Sequence, residues 1–521
     1  MAVQELRLAL KLQDREKARQ LAQFLEVSPN GGDIYIRYFI GKEKWLNHEE
    51  EAAHIIWTSI LKQRPDYYGA RVGMVYYAIY KGQYKVAKEQ VLDIMECYGE
   101  TKETNCLMGD ANNYLIKEML EERKNRPQDE MLRLELGWCY FQNKAYEACH
   151  KLLIDYTSTH EYAFEYHNLK GRNDFAVGYL DVALPELMCW LKDIEGLQDD
   201  GSKVYQRRHR RLGYANFLVG MCHCALAEKN KGIMQKTYYE AAQNFLEAAI
   251  AVASPAYDYI LSYKERLGNV LLKLGKNEAC IDLCDEIIKE DKHFYLAYLL
   301  RQEAFFNLHN AQGVIDDYYE ATSIYEGYIK PYLLAIEVFM VFNQYEEAKN
   351  VIARAKTLAL KSLKLDFLSL KIKRQQSHTV REYEVLIEAL KEFIQRVKEK
   401  QQTEIENIGD VYLELTLSYM DLESYEEALK TINLAVDSHE DNVYYKWIKA
   451  DILQELDEFS QALRLYEAIH STYENNSEYY YDLGRCLHNL GRLDEALKAY
   501  KRTRVLNHKH GDVNDKLRKI Y

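Results

Sequence analysis

Apolar residues recur three and four positions apart along most of the chain, with charged residues between them, as in helices that bury one stripe. The runs are about 12–14 residues long, and short turns such as Lys81-Gly82-Gln83, Leu274-Gly275-Lys276 and Leu490-Gly491-Arg492 separate them, with glycine admitting a left-handed helix stop. Pro29, Pro65, Pro127, Pro255 and Pro331 stand where one hairpin of helices ends and the next begins. Pro185 falls in the first turn of its helix or kinks it.

The pattern repeats. Ala428, Ala462 and Ala496 lie 34 residues apart, each preceded at three positions by Tyr425, Phe459 or Leu493 and followed at four by Ile432, Tyr466 or Tyr500. Cys280, Val314 and Ala348 keep the same step of 34, as do Leu115, Cys149 and Ala183, and Ala53 with Ala87. A period of this length predicts helix–turn–helix units stacked side by side. Small residues belong where two helix axes approach to about 8–10 Å. Gly137, Gly171, Gly220, Gly268, Ala450 and Gly484 supply them on first helices, and Ala248, Ala321, Ala355 and Ala435 late on second helices.

The Leu-Gly pair and Tyr on the first helix, the Tyr/Phe-x-x-Ala and aromatic on the second, and the closing Pro resemble the tetratricopeptide repeat family. The match is strong over 411–508, good over 261–355 and degraded over 33–195. The resemblance implies an all-α, right-handed superhelical solenoid of about 13–14 hairpins, whose first helices line a concave groove for peptides or partner proteins. On this register, residues 1–197 hold degenerate hairpins, 198–212 a charged connector, 213–360 central hairpins, 361–408 an extended irregular hairpin, 409–507 three well-matched units and 508–521 a basic capping helix. The step of 58 from Ala183 to Ala241 predicts an expanded turn near Glu228–Thr237, besides the connector.

Composition narrows the function. Only 6 Pro and 24 Gly in 521 residues exclude collagen-like and low-complexity chains. The net charge of −13 argues against a general nucleic-acid binder, although the last 24 residues carry +6. The N-terminus has no export signal and no apolar run reaches membrane-spanning length, which predicts a soluble cytoplasmic protein without a membrane span. The ten Cys lack the spacing of a disulfide framework, and Cys149 and Cys280 occupy small packing positions.

No GxSxG, HExxH or GxxxxGK[ST] occurs, so the chain reads as noncatalytic, with no cofactor and no metal site. The helical offset of Cys222-His223-Cys224 sends alternate side chains about 200° apart, unsuited to chelation. Cys280 and Cys284 share a face but read as core.

First-helix positions two, five, nine, twelve and thirteen define the expected groove. They select Tyr35, Tyr38, Lys42, Trp45, Tyr76 and Tyr80; then Trp138 and Phe141; then Tyr214, Phe217, Met221 and Phe306. Toward the C-terminus they select Asp410, Asp421, Tyr444, Trp447, Asp451, Glu455, Glu478, Tyr481 and Arg485. Tyr and Trp are favoured anchors, with large rigid area and a polar tip; the alternative is that these rings fill seams between hairpins. The Lys/Asn/Asn/Lys/Arg clamp with which relatives of this kind hold chaperone C-termini is absent: Asp410, Leu413, Glu414, Leu417, Ile448 and Asp451 stand in the C-terminal triplet. The acidic, aromatic groove predicts a partner segment of basic or mixed charge. Arg207, Arg208, His209, Arg210 and Arg211 read as a solvated helix start beside Asp199 and Asp200, with an anion or RNA contact as the alternative. The chain is therefore expected to be a protein- or peptide-binding scaffold, the alternatives being a peptide-sensing regulatory receptor or a co-chaperone-like assembly factor.

Overall fold

The computed structural model describes residues 2–520 except 157, 160, 254–258, 400–404 and 406, together with the side chains at 519 and 520. Pro255 and Tyr521 therefore lie outside the described residues. Among those described there are 29 α-helices and no strand. The chain divides into two compact units, Met1–Leu274 and Gly275–Tyr521.

In the N-terminal unit, helix pairs are formed by Ala2–Lys11 with Arg15–Glu26, Ile34–Leu46 with Glu50–Gln63, and Tyr68–Tyr80 with Tyr84–Tyr98. Glu130–Gln142 with Tyr146–Leu153, Ala163–Val177 with Leu180–Glu195, and Leu212–Lys229 with Gly232–Val252 continue the series. The single helices Lys102–Asn125, Lys203–His209 and Ile260–Lys273 complete this unit. The C-terminal unit opens on Asn277–Glu290. Its pairs are Tyr295–Asn307 with Ala311–Ile324, Lys330–Val341 with Tyr345–Thr357, and Leu363–Gln376 with Val380–Glu399. Ile408–Asp421 with Tyr425–Ser438, Val443–Glu455 with Phe459–Ile469, and Ser477–Asn489 with Leu493–Leu506 follow, before the last helix, Val513–Ile520.

The hairpin turns carry the period in their backbone. Left-handed residues fall at His48 and Gly82, at Lys144 and Gly178, at Gly275, His309 and Asn343, and at Glu423, Asp457 and Gly491, 34 apart within each group. The residue after the stop donates its N–H five residues back, as from Glu49 to Lys44 (2.8 Å), Ser424 to Tyr419 (2.8 Å) and Arg492 to Leu487 (2.9 Å). That bond satisfies an otherwise orphaned helix carbonyl. It holds the conformation even where Lys144, Glu423 or Asp457, with φ of 55–59°, replaces glycine.

The repeat alanines are the contact points. Ala428, Ala462 and Ala496 are fully buried, as are Ile432, Tyr466 and Tyr500 one turn later. Tyr479 donates to the Tyr466 carbonyl at 2.8 Å and Gln454 donates to the Tyr466 hydroxyl at 2.7 Å, so the core phenol is satisfied. Trp57 shows the small-residue rule most sharply. It lies between Gly41 and Gly73 on two successive first helices, and a Cβ there would come within 2.6 Å and 2.4 Å of the indole. Val513 and Leu517 of the last helix pack on the cluster containing Tyr500.

Three local expectations need correction, and a fourth, for Pro185, is narrowed. Leu115 does not open a second helix: Lys102–Asn125 is one continuous helix of 24 residues, burying Thr104, Leu107, Met108, Ala111, Leu115 and Met119 along one face. The expanded turn at Glu228–Thr237 is absent, because the extra residues lengthen the helices Leu212–Lys229 and Gly232–Val252 to 18 and 21 residues. Within the latter the register lies one residue later than expected: Ala242 and Ala249 are fully buried, whereas Ala241 and Ala248 are only partly so. Pro185 sits inside Leu180–Glu195, past its first turn.

Candidate functional site

The C-terminal candidates gather on the helices Val443–Glu455 and Ser477–Asn489. Asn442 and Asn476 start both: Asn442 accepts from the N–H of Tyr444 (3.0 Å) and Tyr445 (3.2 Å), and Asn476 from that of Tyr479 (3.0 Å). These caps fix the phase that puts Trp447, Asp451 and Glu455 on one helix face and Glu478, Tyr481, Asp482 and Arg485 on the other. The Trp447 indole N–H donates to Asp482 Oδ2 at 3.0 Å. Arg485 pairs with Glu455 at 2.5 Å and lies 4.0 Å from Asp451.

Electrostatically this patch is less acidic than its sequence. Burial, then Asp451, pushes the Asp482 carboxyl up to about 7, against the lowering effect of the Trp447 hydrogen bond and Arg485. Burial and the nearby Glu455 also raise Asp451, with Arg485 opposing. Two carboxyls therefore sit where a further positive charge would favour their ionised form.

The aromatic candidates divide. Tyr444 is exposed, whereas Trp447 stands edge-on to Tyr473 at 4.7 Å and Tyr479 at 6.2 Å. Tyr481 turns toward His510 (4.5 Å) and Tyr500 (5.9 Å). Asp410 is apart from this group, accepting the Tyr445 hydroxyl at 2.5 Å.

In the N-terminal unit, Tyr38, Trp45 and Tyr76 meet around a cavity of about 220 Å³ that Lys42, Trp57, Gly69 and Gly73 also line. Trp45 lies 5.7 Å from Trp57 and 6.0 Å from both Tyr76 and Tyr80. Burial raises the Tyr76 hydroxyl to about 12, with Glu103 adding to it as acceptor at 3.3 Å. Tyr35 is exposed and accepts from Arg7 at 3.0 Å.

The remaining candidates are not brought into these groups. Phe217 stacks on Tyr263 at 4.3 Å, filling a seam between helices. Trp138 and Phe141 lie under the Arg172 guanidinium at 5.6 Å and 5.0 Å. Cys222 faces the Leu180 carbonyl while His223 stacks on Phe245 at 5.5 Å, so the tripeptide's side chains serve different neighbours.

Sequence reasoning missed Asp482, Tyr473, Trp57 and Arg172. Asp482 was findable, because it lies one turn from Glu478 and three residues before Arg485 on the selected face. Trp57 sits on a second helix, which a first-helix rule does not sample.

These features define a helical-hairpin repeat protein whose first helices bear clustered aromatic and charged side chains. Residues 453–520 match the tetratricopeptide repeat family model, and the same hairpin, turn and 34-residue phase recur upstream of them. No curated protein sequence matches it. Similar solved structures include the APC/C hetero-tetramer Cut9–Hcn1, at 8% identity and a TM-score of 0.44, covering 96% of this chain and 97% of that one. Naa15/Naa10 bound to HypK-THB is similar at 11% identity and a TM-score of 0.35, covering 100% and 96%. YrrB, a TPR protein with an unusual peptide-binding site, is similar at 14% identity and a TM-score of 0.24, covering 45% and 97%.

Proposed function

We propose that the chain is a noncatalytic, cytoplasmic scaffold that holds a protein or peptide segment against its first helices. The contacts assigned to the C-terminal unit are Tyr444, Trp447, Asp451, Tyr481 and Arg485, with Asp482 added. Those assigned to the N-terminal unit are Tyr35, Tyr38, Trp45, Tyr76 and Tyr80. The observation that carries the reading is the Trp447–Asp482–Asp451 group: a partly exposed indole beside two carboxyls whose ionisation burial opposes. A Lys or Arg delivered there by a partner gains a charge-assisted contact while its flanking residues cover Trp447 and Tyr444. This favours a segment of basic or mixed charge. Among the described residues no helix is long and apolar enough to cross a membrane. The ten free cysteines agree with a reducing compartment.

The test is a panel of labelled peptides varying in Lys/Arg content and apolar flanks, titrated into the full chain. Tight binders are expected to carry Lys or Arg, to release protons on binding near pH 7, and to be lost on Tyr444→Ala with Trp447→Ala and Tyr481→Ala. Tyr444→Ala alone, on an exposed residue, is expected to weaken them with the helical circular dichroism unchanged. Equal binding by the wild type and these variants refutes the assignment.

A further inference from the structure

The densest basic cluster of the sequence is only partly solvated: Arg207 and His209 are exposed, whereas Arg208, Arg210 and Arg211 are half-buried. Asp199 and Asp200, the acids beside it, use their side chains to accept the N–H groups of Gly201 (2.9 Å) and Ser202 (2.8 Å). The arginines instead border a cavity of about 750 Å³ in the N-terminal unit, with Trp138 and Phe141 among its walls. That size is within the roughly 300–1,000 Å³ of ordinary ligand clefts.

Four guanidiniums at this cavity have no carboxylate within ion-pair distance among the described residues. Arg172, Arg207, Arg208 and Arg211 make no ion pair and donate no side-chain hydrogen bond among the described residues, whereas neighbouring Arg210 pairs with Glu96 at 3.0 Å. Elsewhere in the chain partly buried arginines do find carboxylates: Arg301 pairs with Asp317, Arg374 with Glu414 and Arg485 with Glu455. At the cavity, Arg172 lies over Trp138, Phe141 and Tyr214, and Arg208 over Phe164 at 4.4 Å. Aromatic faces hold these cations in place without neutralising them. The lining has six cationic side chains (Lys88, Lys144 and the four arginines) and three anionic ones (Glu100, Glu135 and Glu165), a net of +3. Burial and the neighbouring Arg172, Arg207 and Arg210 lower the Arg211 pKa, despite the opposing Glu165.

We propose that this cavity is a second docking site, which takes an acidic peptide segment carrying an aromatic or large apolar residue. The carboxylates would occupy the open donors of Arg172, Arg207, Arg208 and Arg211, and the apolar residue would cover Trp138 and Phe141. A peptide fits better than a nucleic-acid strand because the three glutamates interrupt the basic lining, where a continuous phosphate chain would meet them. The site is separate from the C-terminal residues assigned above and opposite to them in preferred charge.

The experiment uses the full chain and three fluorescent probes: a decapeptide of Glu and Asp with a central Phe, its Gln/Asn counterpart, and an oligo-dT of similar length. Anisotropy is read at low and moderate salt. The acidic peptide is expected to bind and the amide peptide not to. Arg207→Glu, at an exposed unpaired residue, is expected to weaken binding about tenfold or more. Arg172→Glu is expected to do the same, and Lys430→Ala, on an exposed second-helix residue outside either site, to leave it unchanged. Should Arg172→Glu fail to fold, Arg207→Glu carries the test alone. No binding of the acidic peptide, equal binding of the amide peptide, no loss in Arg207→Glu, or tighter binding of oligo-dT would each overturn the proposal, the last in favour of a nucleic-acid site.

Discussion

Asp482 makes the C-terminal hairpins sensitive to pH in an unusual direction. Its carboxyl titrates near 7 when folded and near the ordinary 3.8 when unfolded, a difference of about 3 units. Because the folded state holds the proton more tightly, this residue's contribution to stability is greatest at low pH and is lost as pH rises through 4 to 7. At about 1.36 kcal/mol per unit, ionised Asp482 costs about 4 kcal/mol above pH 7, and about 2.5 kcal/mol of that accrues between pH 5 and pH 8. Asp482→Asn keeps an acceptor for the Trp447 N–H and removes the titration. Hydrogen exchange of the segments 443–455 and 477–489, corrected for intrinsic rates, reads the local opening free energy at both pH values. Relative to the variant, wild-type protection is expected to fall by roughly 70-fold from pH 5 to pH 8, the same 2.5 kcal/mol expressed as a ratio. If Asp482→Asn has the same pH dependence as the wild type, or if the wild type gains protection over the variant as pH rises, the reasoning about this buried acid is wrong.

Other perturbations probe the packing. Glu423, exposed and left-handed at φ 55°, is expected to tolerate glycine with a gain of about 0.5–1 kcal/mol, because relief of the left-handed penalty outweighs glycine's entropy; a thermal melt checks the sign. Gly73→Ala would place a Cβ 2.4 Å from the Trp57 ring, so a loss of about 1–3 kcal/mol and an altered near-ultraviolet spectrum are expected. Arg301→Met strands Asp317, 1% exposed and held by two guanidinium nitrogens at 2.6 and 3.0 Å, at a cost of about 3–5 kcal/mol by denaturant melts. Adding Asp317→Leu is expected to recover much of that loss.

The repeat was legible because close helix approach admits few residue types. Ala428, Ala462 and Ala496 had to be small, and the sequence declares it. Where two small residues stand together the same signal is silent: Ala241 and Ala242 satisfy it equally, and only packing selects Ala242. The uninterrupted helix Lys102–Asn125 was disguised because Leu115 keeps the 34-residue phase while no left-handed residue breaks the chain there. The candidate surfaces were legible residue by residue but not in their pairings. Trp447 and Arg485 were chosen independently; that one bonds Asp482 and the other Glu455 depends on which hairpins are neighbours. The openness of Arg172, Arg207, Arg208 and Arg211 is likewise invisible in sequence, where Asp199 and Asp200 look like their natural partners.

The most direct measurement places a photo-crosslinking phenylalanine analogue at Tyr444 of the full chain, with a control at Lys430 on a second helix, and identifies adducts formed in cells by mass spectrometry. A partner crosslinked at 444 and not at 430, through a segment containing Lys or Arg, is the predicted result. No adduct at 444, or the same adducts at both positions, would contradict a first-helix surface that binds a partner chain.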